Sequence, residues 1–218
     1  MRAEDGPDWL VSDKGALGAW TLGRPIHLAW PKTGWGTPFS GFRFAVPEMM
    51  GFQGTAIYLD ADMLVLGDLA ELLTYKRPTG YTCCHVVRTD VSVIDCGWFK
   101  GKPWWPSVAQ MRTSGWCVPQ YLGLLHGHNG VSAAVPWEWN DCEGGIFERD
   151  PKRVRLIHYT GVPDQPYRPY PEVEYPKAFP FSRHAMIGHL WWETYREALA
   201  AEFGAAQAAE MVERRIRQ

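Results

Sequence analysis

Two carboxylates stand one residue apart in the run Thr55–Leu73, TAIYLDADMLVLGDLAELL. An apolar segment, Ala56–Leu59, leads straight into Asp60-Ala61-Asp62, and a second apolar run, Met63–Leu66, follows. Paired acids between buried segments repel one another and resist desolvation. A hard divalent cation relieves both costs, because carboxylate oxygens suit Mg2+ or Mn2+ and the remaining positions suit substrate phosphates. The segment is therefore expected to deliver a metal–diphosphate site from the end of a strand, with Asp60 and Asp62 as its catalytic and metal-binding residues. A D-x-D in a polar loop would carry no such meaning; here apolar runs flank it. His158, in LIHYTG, is the next candidate, since a neutral imidazole is a good Mn2+ ligand. A strand-end histidine can equally be a structural hydrogen-bonder.

Those residues need elements to carry them. Short strands are expected at 25–30, 55–59, 81–87, 91–94, 131–135 and 154–159, from β-branched and aromatic content between Gly, Pro and polar punctuation. Helices are expected over 42–50 with an interruption at Pro47, over 69–74, and over 121–125. Residues 32–40 and 97–115 look irregular, and the proline-rich stretch 161–182 looks like an extended surface arm. From 187 the chain turns helical: Leu190, Trp191, Tyr195, Leu199 and Phe203 recur near a 3.6 period. Gly204 is placed to break that helix before a second one over 205–217, whose terminal arginines suit a helix C-terminus. Strands alternating with helices imply α/β architecture, with ligands at the carboxyl ends of strands. We expect one domain over 1–218, with a poorly defined segment over 1–38 and C-terminal helices over 187–218.

Composition narrows the classes. The chain has 218 residues, a net charge of −2 and a pI near 6.4. It offers no phosphate-coating basic surface, which argues against nucleic acid as a partner. No apolar run approaches a membrane span, and the acidic start lacks a signal peptide's apolar core, so a cytoplasmic location is expected. Five cysteines, Cys83, Cys84, Cys96, Cys117 and Cys142, are odd in number and lack a C-x-x-C, so reduced core thiols are expected. Twelve tryptophans could fill a core or stack on sugar rings; Trp104-Trp105 and Trp137/Trp139 lie in loop-like sequence that favours a groove.

Four stretches in order carry a family resemblance: FSGFRFAVPEMMGFQG (39–54), AIYLDADMLVLGDLAEL (56–72), SVIDC (92–96), and WNDCEGGIF with LIHYTGVPDQPY (139–147 and 156–167). Together they resemble the family 8 nucleotide-sugar glycosyltransferases, bacterial members in particular. The resemblance implies a GT-A fold, a Rossmann-like sandwich with a central mixed sheet. It implies retaining transfer of a hexose from a UDP-sugar to a carbohydrate or lipid-linked glycan, with Mn2+ (or Mg2+) as cofactor. Asp60 and Asp62 match the family's D-x-D, and His158 its metal-binding histidine. Arg43 matches an arginine on the nucleotide diphosphate, and Gly161 a glycine whose backbone approaches it.

The same offset that gives the family's diphosphate lysine gives Asp164 here, and Gln165 or Arg168 would take over that contact. Asn140 could bond the donor sugar or acceptor, or cap a loop. Glu143 and Asp141 are the nearest candidates for a second carboxylate. Nothing upstream of Asp60 resembles the opening strand that holds uracil and ribose in the family, so an N-terminally shortened fold is expected.

Two other readings fit part of this pattern. One is a truncated or degraded nucleotide-sugar-binding relative. The other is a haloacid-dehalogenase-type phosphatase, although Met63-Leu64 stand where that family usually has Gly-Thr.

Overall fold

A computed structural model describes residues 41–85, 88–113, 118–160 and 181–216. The expected strand over 25–30, the loop over 32–40, Cys117, Gly161, Gln165 and most of the proline-rich arm lie outside the described residues. The architecture is mixed α/β, as expected, and its strands form two mixed sheets. The chain divides into two compact units, Met1–Leu59 with Ala70–Val135, and Asp60–Leu69 with Pro136–Gln218.

The first unit holds a four-stranded sheet. β1 (Thr55–Leu59) pairs antiparallel with the eight-residue strand Arg88–Asp95, in register from Thr55 opposite Asp95 to Leu59 opposite Val91. That long strand pairs antiparallel on its other edge with Tyr81–His85, which in turn runs parallel to Val131–Ala133. In Arg88–Asp95, Thr89 to Ile94 are all buried, as its central place in the sheet requires. Helices Phe42–Met49, Val108–Thr113 and Val118–Gly127 surround a core of Phe44, Tyr81, Ile94, Phe99, Trp105, Met111, Tyr121 and Leu125.

Three local expectations are corrected here. The first helix runs through Pro47 to Met49. Proline has no N–H to give the carbonyl four residues back, that of Arg43. The buried Tyr81 hydroxyl donates to that carbonyl instead, so the helix continues without an orphaned acceptor. Second, the stretch 97–115 contains the helix Val108–Thr113, started by a reciprocal cap in which Ser107 Oγ accepts from the Gln110 N–H at 3.2 Å and Gln110 Oε1 accepts from the Ser107 N–H at 2.8 Å. Third, Trp105 is a core residue rather than part of a groove. Trp104 stacks on His128 with ring centres 4.0 Å apart.

The second unit holds a three-stranded sheet. β2 (Met63–Val65) pairs antiparallel with Leu156–His158, Met63 standing opposite His158. The short strand Asp141–Cys142 runs parallel on the other edge, with Cys142 opposite His158. Leu64, Val154, Ile157, Tyr159 and Ile187 form its core. The long helix begins at Phe181, six residues earlier than expected, and ends at Phe203. Gly204 then takes φ +84°, a conformation that favours glycine, before the helix Ala205–Ile216. Leu199, Ala208 and Val212 pack between the two helices. No helix among the described residues is long and apolar enough to cross a membrane.

Candidate metal and donor site

Asp60 follows the last residue of β1, and Asp62 precedes the first residue of β2. The turn between them is latched to the three-stranded sheet, because the Tyr159 N–H donates to the Asp62 carbonyl at 2.9 Å. That latch and the Met63–His158 pairing set the D-x-D against the end of the strand Leu156–His158. His158 is 4 % exposed. Its Nε2 lies 3.3 Å from Asp62 Oδ1, and one of its ring nitrogens lies within 4.8 Å of an Asp60 carboxylate oxygen. Within the second unit His158 thus approaches each carboxylate of the D-x-D, although the three ligand atoms that lie within 4.8 Å of one another belong to Asp60, Asp90 and His158 rather than to Asp60, Asp62 and His158.

The other side of the imidazole fixes its chemistry. Nδ1 donates to Asn140 Oδ1 at 2.8 Å, since an amide oxygen can only accept. In the neutral ring Nε2 is then an acceptor, and it faces a carboxylate oxygen that is also an acceptor. A proton or a cation between them reconciles the two. The 3.3 Å spacing is close to the ~3 Å between adjacent ligands of an octahedral ion with ~2.1 Å bonds. Two carboxylates and an imidazole are also the donor set that Mn2+ or Mg2+ accepts. The residues present therefore fit such an ion.

Asn140 is buried, and its Nδ2 has no hydrogen-bond partner among the described residues. A buried amide donor left unpartnered is costly and is explained by an oxygen supplied from outside. Asn140 reaches His158 because Asp141–Cys142 pairs parallel with Leu156–His158 and the Glu143 N–H donates to the His158 carbonyl at 3.0 Å.

The two candidates for a second carboxylate separate. Asp141 is buried, and its two oxygens accept from the Ile146 and Phe147 N–H groups, each at 2.8 Å, so it is a loop cap. Glu143 adopts φ +58°, unusual for a residue with a side chain, and accepts from Thr160 Oγ1 at 2.5 Å. Burial, with a smaller push from Glu143, raises the Tyr159 phenol well above its ordinary pKa.

Within the first unit, Arg43 is 2 % exposed. Its Nη1 donates to Thr89 Oγ1 at 2.8 Å and lies 3.4 Å from Asp90 Oδ1. Arg88 clamps the other oxygen of Asp90 at 2.7 Å, and the Arg43 guanidinium lies over the Tyr58 ring. Asp90, a buried acid between two arginines, carries no local sequence signal; only the long-range pairing reveals it.

Comparison with known proteins adds distant likenesses. No protein-family model matches the chain. Protein CDI of Arabidopsis thaliana is 25% identical over 155 residues, a match covering 57% of this chain and 56% of that protein, so the chain spans little more than half of that relative's length. Among solved structures, the galactosyltransferase LgtC in complex with donor and acceptor sugar analogs aligns with a TM-score of 0.48 at 15% identity, over 77% of this chain and 73% of that one. The WbbM bifunctional glycosyltransferase aligns with a TM-score of 0.47 at 15% identity, over 63% of this chain and 34% of that one.

Proposed function

We propose that the chain is a metal-dependent glycosyltransferase of GT-A type that moves a hexose from a UDP-sugar to a hydroxyl acceptor with retention of configuration. The observation that carries this reading is the 3.3 Å approach of His158 Nε2 to Asp62 Oδ1 at the end of the D-x-D turn. Asp60, Asp62 and His158 would hold Mn2+ or Mg2+, which when bound offsets the negative charge of the diphosphate. Arg43, the residue that the family resemblance gives to the diphosphate, has a planar guanidinium suited to phosphate oxygens, and within the first unit its contacts to Thr89 and Asp90 hold that group in one orientation. The family pattern also gives Gly161 and Gln165, which lie outside the described residues, to the diphosphate. The Asn140 amide, with Nδ2 available, bonds a sugar hydroxyl or a phosphate oxygen.

Transfer breaks the bond between the sugar's anomeric carbon and the β-phosphate oxygen and forms one to the acceptor oxygen on the same face. The acceptor's proton passes to the departing phosphate, so no protein nucleophile is needed. That agrees with Asp141 being committed to two backbone N–H groups.

Calorimetric titration of UDP with and without Mn2+ tests the reading. Binding is expected to require the metal, to be lost in Asp62→Ala and to weaken in His158→Ala with the fold intact. Equal affinity of Asp62→Ala and the parent protein would refute the metal assignment. Metal-dependent UDP binding without hexose transfer or UDP-sugar hydrolysis would instead mark a nucleotide-sugar-binding protein.

A further inference from the structure

The second unit contains an open cleft of about 590 Å3, within the ~300–1,000 Å3 range of small-molecule sites. Trp137 stands on its rim and is 48 % exposed, a large apolar surface left in solvent. The local sequence holds it there. Trp137–Trp139 is a single 3-10 turn in which the Trp139 N–H donates to the Pro136 carbonyl and the Asn140 N–H to the Trp137 carbonyl. At about three residues per turn, Trp137 and Trp139 point in different directions. Trp139 is buried and anchors the turn, leaving the Trp137 indole outside.

The polar lining is held in place and carries no excess of cations. Glu138 is gripped by Arg153, with Nε at 2.6 Å and Nη2 at 2.5 Å from Oε1. Its own backbone N–H and Arg153 hold the Glu138 carboxyl below its ordinary pKa. Arg149 Nε donates to the Gly145 carbonyl at 3.0 Å, which sets the direction of its two terminal amino groups. Asp150 adds an acid on the same lining. Three acids, Glu138, Asp141 and Asp150, outnumber the two arginines, so the lining carries a net negative charge and does not favour an anion such as a phosphate. A flat aromatic face beside held donors and acceptors complements a neutral ring that carries hydroxyls on its edge and C–H groups on its face.

We propose that this cleft binds a neutral saccharide unit, stacked on Trp137 and hydrogen-bonded by Arg149, Glu138 and Asp150. These saccharide contacts do not use Asn140, which also lines the cleft and which the proposed function assigns to the donor.

Ligand-observed saturation-transfer NMR on the full chain, without UDP or metal, with lactose, maltotriose and chitotriose as probes, tests this. At least one probe is expected to bind in the millimolar range, with ring C–H protons receiving the strongest transfer. Trp137→Ala is expected to weaken it about tenfold or more, and Trp137→Tyr to retain most of it, with unchanged circular dichroism. Should Trp137→Ala fail to fold, Arg149→Met, which keeps the stem and removes the donors, carries the same expectation. Absence of transfer with all three probes, or undiminished binding in the folded variant, would overturn the proposal. Asp62→Ala, which is expected to lose UDP, should leave saccharide binding unchanged, so failure of the donor site and failure of this cleft are separately visible.

Discussion

Asp141 offers the sharpest separation of structure from catalysis. Its buried carboxylate accepts two backbone N–H groups at 2.8 Å and so closes the loop from Cys142 to Phe147. A hydrogen bond to a charged group contributes about 1.5–3 kcal/mol, so Asp141→Ala forfeits about 3–6 kcal/mol in gross terms. Relief of carboxylate burial and water entering the gap offset part of that, leaving about 3 kcal/mol. For a chain of this size each kcal/mol moves the melting temperature by about 2–4 °C, which gives a drop of about 6–12 °C. Asp141→Asn keeps one acceptor but turns an amide donor toward a backbone donor, and should lose at least half as much. Thermal melts read the global effect, and amide exchange at Ile146 and Phe147 reads the local one. A melt within about 2 °C of the parent, with both amides still protected, would refute the cap. If Asp141→Asn instead melted like the parent while hexose transfer vanished, Asp141 would be a catalytic carboxylate and the assignment here would be wrong.

Two further outcomes follow from the core. Trp105 is buried and packs against Phe44, Phe99 and Tyr121, so Trp105→Ala should cost about 3–5 kcal/mol in denaturant unfolding, whereas Trp104→Ala, at a half-buried residue that stacks on His128 and meets Trp98 and Trp105 edge-on, should cost less; the reverse order would return Trp105 to a surface groove. Burial pushes the Cys83 thiol up from 9.0 to about 12. The folded state therefore holds that proton more tightly than the unfolded chain. The resulting stability is complete below pH 9 and is lost as pH rises toward 12. Cys83→Ala should show a shallower alkaline loss in urea midpoints between about pH 8 and pH 10, and an unchanged slope would contradict a buried thiol. Tyr81 and Cys96, also raised by burial, should retain the remaining dependence.

What the sequence made legible was what local pattern encodes. The strand Thr55–Leu59 stops where expected because Gly54 and Asp60 bound an apolar run, and Gly204 breaks the C-terminal helices where a positive φ is required. The capping box Ser107–Gln110 was a readable start signal for the helix at Val108, hidden among prolines and tryptophans. The two-residue strand Asp141–Cys142 is too short to show any period. Pro47 looked like an interruption because the compensating donor, the Tyr81 hydroxyl, lies 38 residues away.

Three acids, two buried and one half-buried, show most clearly where local reading ends. Asp90, Asp141 and Asp62 are alike in composition, yet their solutions differ. Asp90 sits between two arginines, and Asp141 is capped by two backbone N–H groups. Asp62 meets the His158 Nε2 at 3.3 Å, with the Nδ1 on the other side of the ring bonded to Asn140. Backbone amides complete Asp141 within the chain, whereas Asp90 and the D-x-D acids lie near His158, where a positive charge would be stabilised. That contrast depends on the register of Met63 opposite His158 and of Cys142 opposite His158, and both are long-range pairings. The D-x-D motif proposes a metal, and the Asn140–His158–Asp62 chain of contacts is where titration with Mn2+ would test it.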